Sequence, residues 1–162
     1  MAVMIFVTGG TFDKEYNELD GLLFFKDTHV AEMLKLARCE TAYELRTLMM
    51  IDSRNMTDAE RRIIMENCRS TPDESIVITH GTDTMVETAK LIAANIKNKT
   101  IVLTGAMIPY KFGSSDGTFN LGQAIAYAKA MPHGVYIAMN GHCFNHDNVR
   151  KNREIGKFEK LR

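Results

Sequence analysis

The stretch Ser75–Ile76–Val77–Ile78–Thr79–His80–Gly81–Thr82–Asp83–Thr84–Met85 decides the fold. An apolar, β-branched run passes without alternation into a polar segment holding one glycine, and then into a helical pattern. Continuous hydrophobicity marks a strand covered on both faces, as in a parallel sheet. Beyond the turn, Met85, Ala89, Ile92 and Ile96 fall on one helical stripe, and Thr84 with Glu87 has capping-box spacing. The order is therefore strand, polar turn, helix.

The same order recurs on both sides. Val3–Val7, Leu48–Ile51, Ile101–Leu103 and Val135–Ala138 read as further buried strands. Val30, Met33, Leu34 and Ala37 have helical spacing, and Thr57 with Glu60 opens a helix toward Cys68. A last helix starts near Asp116–Gly117 and carries Leu121, Ala124, Ile125 and Ala128. The alternation predicts a single-domain α/β fold: a doubly wound, Rossmann- or flavodoxin-like, mostly parallel sheet of about five strands with helices on both faces. The charged end, Asp147–Arg162, reads as a short solvated helix or a tail rather than a second domain.

Composition excludes several function classes. The chain has 162 residues, about one domain's worth, and its 45% hydrophobic and 25% charged content argues against disorder. Twenty basic residues balance twenty acidic ones, so the basic excess of a dedicated nucleic-acid binder is missing. No run approaches the roughly 18 apolar residues of a membrane span. Met1–Thr8 lacks a charged leader, so no signal peptide is expected. Cys39, Cys68 and Cys143 have no disulfide-framework spacing, and free thiols beside eleven methionines suit the reducing cytoplasm. His142, Cys143, His146 and Asp147 cluster, and an i, i+4 histidine pair suits zinc on a helix. Gly141 and Asn145 favour a loop there instead, so no metal is expected.

In open parallel sheets, ligands bind beyond the carboxyl ends of the strands. The residues following each apolar run are therefore the candidates. They are Thr8–Gly9–Gly10–Thr11, Asp52–Ser53–Arg54–Asn55, Thr79–Thr84, Thr104–Gly105–Ala106–Met107 and Met139–Asn140–Gly141–His142. Gly9–Gly10 permits a tight turn that bares backbone N–H groups. It fits neither the dinucleotide nor the P-loop pattern, and a plain strand-to-loop turn explains it as well. In the third segment, capping needs one residue and Thr84 supplies it. Thr82 and Asp83 are then spare for chemistry.

Thr8–Gly9–Gly10–Thr11–Phe12 and Ile78–Thr79–His80–Gly81–Thr82–Asp83–Thr84–Met85 resemble the two signature segments of the bacterial-type L-asparaginases and glutaminase-asparaginases. Leu103–Met107 with Pro109, Ser115–Leu121, and Met139–Asn140 followed by Lys151 resemble later segments of that family, so the likeness runs from about Val3 to Phe158. The resemblance implies an N-terminal-type catalytic domain over residues 1–162, without the family's smaller C-terminal domain. It implies hydrolysis of the side-chain amide of L-asparagine through a threonine acyl-enzyme, with no cofactor. Thr11 is similar to the nucleophile and Tyr16 to an activating tyrosine on a lid. Thr82, Asp83 and Lys151 resemble a second catalytic group. Asp83 would take the substrate α-ammonium, Ser53 the α-carboxylate, and the Ala106 carbonyl the amide. Gly10 and Gly81 would border the substrate, and backbone N–H groups near Thr11 and Thr82 would stabilise the oxyanion.

A threonine hydroxyl is a weak nucleophile and needs such a neighbour. Lys151 would act as the base, with Asp83 orienting it and Thr82 relaying the proton. Without the family, Lys151 between Arg150 and Asn152 reads as a solvated lysine. Arg54 stands where the family often has glutamine and is expected at the substrate: beside an α-ammonium it would repel, and turned toward the carboxylate it would bind bidentately. The family's oligomers imply a homodimer or larger homo-oligomer. Two other readings stay open: glutaminase-type activity, and an Asp/Asn-binding module without turnover.

Overall fold

The computed structural model describes residues 2–162. The chain opens with strand β1 (Val3–Gly9), followed by a hairpin of β2 (Lys14–Asn17) and β3 (Leu22–Phe25). Helix α1 (Val30–Leu36), β4 (Tyr43–Ile51), α2 (Asp58–Ser70), β5 (Ser75–Thr79) and α3 (Met85–Asn95) come next. They are followed by β6 (Thr100–Thr104), α4 (Gly117–Ala130) and β7 (Gly134–Met139). The last elements are β8 (His142–Asn145), β9 (Arg150–Asn152) and β10 (Lys157–Glu159).

Six strands form the central sheet, in the order β4-β1-β5-β6-β7-β8. The first five are parallel and β8 runs antiparallel to β7. Counting only sheet strands along the chain, the parallel part is ordered 2-1-3-4-5, the flavodoxin-like arrangement. The expected doubly wound sheet is present, with one antiparallel edge strand added.

Side chains alternate between two cores, which explains the unbroken apolar runs. Phe6, Ile76, Ile78 and Leu103 face Ile64, Cys68 and Ile92 of α2 and α3. Ile5, Val7, Val77 and Val102 face Val30, Met33, Leu121 and Ala124 of α1 and α4. All of these are buried.

Four expectations need correction. The Thr84–Glu87 capping box does not form: the Thr84 hydroxyl donates to the Ser53 carbonyl at 2.9 Å, and Glu87 pairs with Arg61 at 3.1 Å. At Thr57 the box spacing does work, and its N–H donates to the Glu60 carboxylate at 2.6 Å. The strand expected at Leu48–Ile51 begins at Tyr43, because β4 is an edge strand and its first half alternates in exposure. The segment around Tyr16, expected as a lid, is the strand β2, zipped to the apolar run Leu22–Phe25. The charged end is neither helix nor tail: β9 and β10 pair antiparallel, and Val149 and Phe158 are buried in the α2/α3-side core. The histidine cluster lies on and just beyond β8, where four residues of extended chain span about 13 Å. Among the described residues no group of three or more His, Cys, Asp or Glu side chains is placed to hold a metal ion.

Candidate active site

The sheet order reverses between β1 and β5, so the loops leaving these strands diverge and open a crevice at the switch point. The β1–β4 register slips between Val7 and Gly9, where the chain turns off the sheet. Gly10 has φ +77°, and a Cβ there would lie 2.4 Å from the Gly81 Cα. A Cβ on Gly81 would lie 2.4 Å from Ser53 Oγ. Three loops thus meet, Gly10 against the Gly81 backbone and Gly81 against the Ser53 side chain, at separations that only glycine allows. The Gly10 N–H donates to the Ile51 carbonyl at 2.9 Å and pins the turn to β4. Thr11 follows at the start of a short 3-10 turn, half-buried, in the segment beside the one carrying Thr82.

Lys151 reaches this crevice from β9, 68 residues beyond Asp83. Its Nζ donates to Thr82 Oγ1 at 2.7 Å and to Asp83 Oδ1 at 2.9 Å. The side chain is only 12% exposed. The β9–β10 hairpin delivers it, and Phe158, register partner of Lys151, anchors that hairpin in the core. Burial pushes the Asp83 carboxyl up, but Lys151 and Arg153 outweigh it and hold the group below its ordinary value.

Arg54 lies beside the same carboxylate, with Nε 3.7 Å from Asp83 Oδ2. Its main attachment is Asp52: Nε donates to Oδ1 at 3.2 Å and Nη2 to Oδ2 at 3.0 Å. Lys14 of β2 donates to Asp52 from the other side at 2.6 Å. The Arg54 hydrogen bond, with help from Lys14 and against burial, keeps the Asp52 carboxyl far below the usual carboxylate range. Arg153 Nε stands 3.5 Å from Asp83 Oδ1.

Two supporting groups escaped the sequence reading of the site. His80 is fully buried. Its Nδ1 lies 2.7 Å from the Gly81 carbonyl, an obligate acceptor, so Nδ1 carries the proton and Nε2 accepts from Thr88 Oγ1 at 2.8 Å. Burial lowers the imidazole pKa to about 4, so the ring works as a neutral brace for the Gly81 loop. Asp116 is the second. It accepts from the N–H groups of Met107 (3.0 Å) and Ile108 (3.1 Å), and from Asn120 Nδ2 and Asn140 Nδ2, both at 3.0 Å. Asn120 also donates to the Gly105 carbonyl at 2.8 Å. This network fixes the β6 loop, with buried Ala106 between its tethered neighbours. The signal was present in Asp116 at the helix start and Asn140 after β7, but only the fold shows that they meet.

The structure therefore brings Gly10, Gly81 and Ser53 together, and Thr82, Asp83 and Lys151 together, with Arg54 at the edge. Ser53 is buried, and its Oγ accepts from the Thr84 N–H at 3.3 Å. Tyr16 is not drawn in. It lies on β2 opposite Leu23, 54% exposed, and makes no hydrogen bond to Thr11. An open cavity of about 350 Å³ borders Lys151 and Arg153.

Known proteins resemble this chain in sequence and fold. Residues 2–156 match the family model described as Asparaginase, N-terminal. A protein named "Probable L-asparaginase periplasmic" from Haemophilus influenzae is 38% identical over 112 residues, covering 64% of this chain and 32% of that one. The solved thermostable L-asparaginase of Thermococcus kodakarensis superposes with a TM-score of 0.87 at 27% identity, over 99% of this chain and 51% of its own. A probable cytoplasmic L-asparaginase of Campylobacter jejuni gives 0.83 at 29% identity, over 98% and 52%. The chain thus spans between about a third and about half of each of these relatives. The matched segment takes in the Gly10 turn, the Thr82–Asp83 loop and Lys151 alike, and the chain belongs to the asparaginase N-terminal domain family.

Proposed function

We propose that this chain is an amidohydrolase that cleaves the side-chain amide of L-asparagine to aspartate and ammonia. The observation that carries the reading is the contact of Lys151 Nζ with Thr82 Oγ1 and Asp83 Oδ1 beside the Gly10–Thr11 turn. Lys151, paired with Asp83, must first give up a proton; Thr11 Oγ then attacks the amide carbon, and its proton passes by way of Thr82 to the Lys151 amine. The same proton then goes to the leaving nitrogen, so ammonia departs from an acyl-threonine. Water, deprotonated by the same pair, releases aspartate and regenerates Thr11. Backbone N–H groups near Thr11 and Thr82 hold the oxyanion, since the Gly10 N–H is engaged by the Ile51 carbonyl, and the Ala106 carbonyl receives the amide N–H. Ser53 takes the α-carboxylate and Asp83 the α-ammonium. Tyr16 would join only by movement of the β2–β3 hairpin, whose outer residues Leu19 and Leu22 are exposed.

The family and the three named relatives support hydrolysis of asparagine; glutamine differs by one methylene and is the second substrate to test. Among the described residues no helix is long and apolar enough to cross a membrane. The relatives' names point to both periplasm and cytoplasm, and we place this chain in the cytoplasm on its unpaired thiols. A homodimer or larger oligomer fits the exposed Leu36 and Phe119 near the α1 and α4 face. The test is ammonia release from L-asparagine, L-glutamine and D-asparagine. L-Asparagine should be preferred, and Thr11→Ala and Lys151→Ala should each abolish release. Full activity in Thr11→Ala would sink the mechanism. Stabilisation by aspartate without any ammonia would favour a binding module instead.

A further inference from the structure

Asp83 already has cations at both oxygens. Oδ1 faces Lys151 at 2.9 Å and Arg153 at 3.5 Å, and Oδ2 faces Arg54 at 3.7 Å. Lys151 lies inside, held by Thr82. Arg54 and Arg153 are 69% and 66% exposed, so they form the solvent side, from which a substrate approaches. Arg54 is not a free surface side chain. Asp52 grips its guanidinium through Nε and Nη2 and also accepts its main-chain N–H at 3.0 Å. Lys14 braces Asp52. The planar fork is thus preset over Asp83. Lys14, Arg54, Lys151 and Arg153 stand against only Asp52 and Asp83, so the cluster is positive.

We infer that Arg54 is a specificity-determining residue that biases this site toward the half-amides of dicarboxylic acids, which carry a carboxylate and no α-ammonium, over zwitterionic amino-acid amides. This rests on the amidohydrolase reading above. An α-ammonium seeking Asp83 must displace Arg54 from Oδ2 and share the carboxylate with two further cations, a like-charge contact partly screened by solvent. A carboxylate without a neighbouring ammonium meets the free N–H edges of Arg54 and Arg153 and gains charge-assisted hydrogen bonds. The bond chemistry is unchanged: the amide C–N bond breaks, ammonia leaves and water closes the cycle.

Calorimetric titration of the wild type and Arg54→Gln with succinate and L-aspartate tests the preference, run beside ammonia release from succinamate and L-asparagine. The wild type should bind succinate more tightly than aspartate and show the higher kcat/KM on succinamate. Arg54→Gln should shift that ratio toward the amino acid by about tenfold, chiefly through KM. Arg54→Lys, which keeps the charge but loses the fork on Asp52, should fall between the two. Tighter aspartate binding by the wild type, or a ratio unmoved in Arg54→Gln, overturns the inference. Succinate preference without ammonia from either amide upholds the inference and overturns the hydrolase reading. Ammonia release without any preference does the reverse.

Discussion

Lys151 sits in a charged run where composition marks it as solvated, yet its amine is buried against Thr82 and Asp83. Removing it should unload the site rather than the fold. Lys151→Met keeps the apolar stem. It should lower kcat by about 100-fold or more while the melting temperature moves little, because positioned acid–base groups contribute on that scale. A steady-state assay beside a thermal melt checks both. His80 makes the opposite kind of prediction. Its folded pKa, about 4, lies below the ordinary 6.5, so the unfolded chain binds the extra proton between these values. The stabilisation is complete above pH 6.5 and is lost as the pH falls toward 4, a change of about 3 kcal/mol. Urea midpoints measured from pH 7 to pH 4 should fall over that window, and His80→Gln, although less stable at pH 7, should flatten the curve there.

The glycine turns and the β9–β10 hairpin act at the scale of elements. Gly10→Ala would set a Cβ 2.4 Å from the Gly81 backbone at φ +77°. It should reduce stability by about 2 kcal/mol or more and push apart the loops carrying Thr11 and Thr82, which a denaturation curve and an ammonia assay would report together. Phe158→Ala removes the core anchor beneath Lys151 and should cost about 3 kcal/mol. Because the hairpin is then loosely seated, kcat should fall further than KM rises. What the sequence disclosed follows from element length. Val3–Val7, Ile76–Ile78 and Ile101–Leu103 are buried on both faces, so their runs are unbroken and legible. β8, β9 and β10 are three or four residues each and mostly polar, and they exist because neighbours pair with them. No local pattern announces such strands. The Thr82–Asp83 pair was visible as polar residues beyond the need of a cap. That Arg54 and Arg153 converge on it was not, since the contact spans three separate loops.

For the molecule as a whole, the order 2-1-3-4-5 puts the crevice between β1 and β5, and every catalytic group of the proposal leaves that end of the sheet or is carried to it by the last hairpin. The carboxylates that tie the rim together, Asp52, Asp83 and Asp116, all lie below their ordinary 3.8 in the fold. Their contribution is complete above about that value and is lost as the pH falls through their folded values, so acid unfolding should continue below the His80 window. Buried Asp13 is shifted upward by burial and opposes them, regaining stability as it protonates. The central claim is that the Thr11 hydroxyl forms the acyl intermediate while Thr82 and Lys151 move the proton. Acid quenching during turnover of asparagine, followed by peptide mass mapping, tests it most directly. The account predicts an aspartyl ester on the peptide carrying Thr11; an ester on Thr82 instead, the hydroxyl that Lys151 touches, would contradict it.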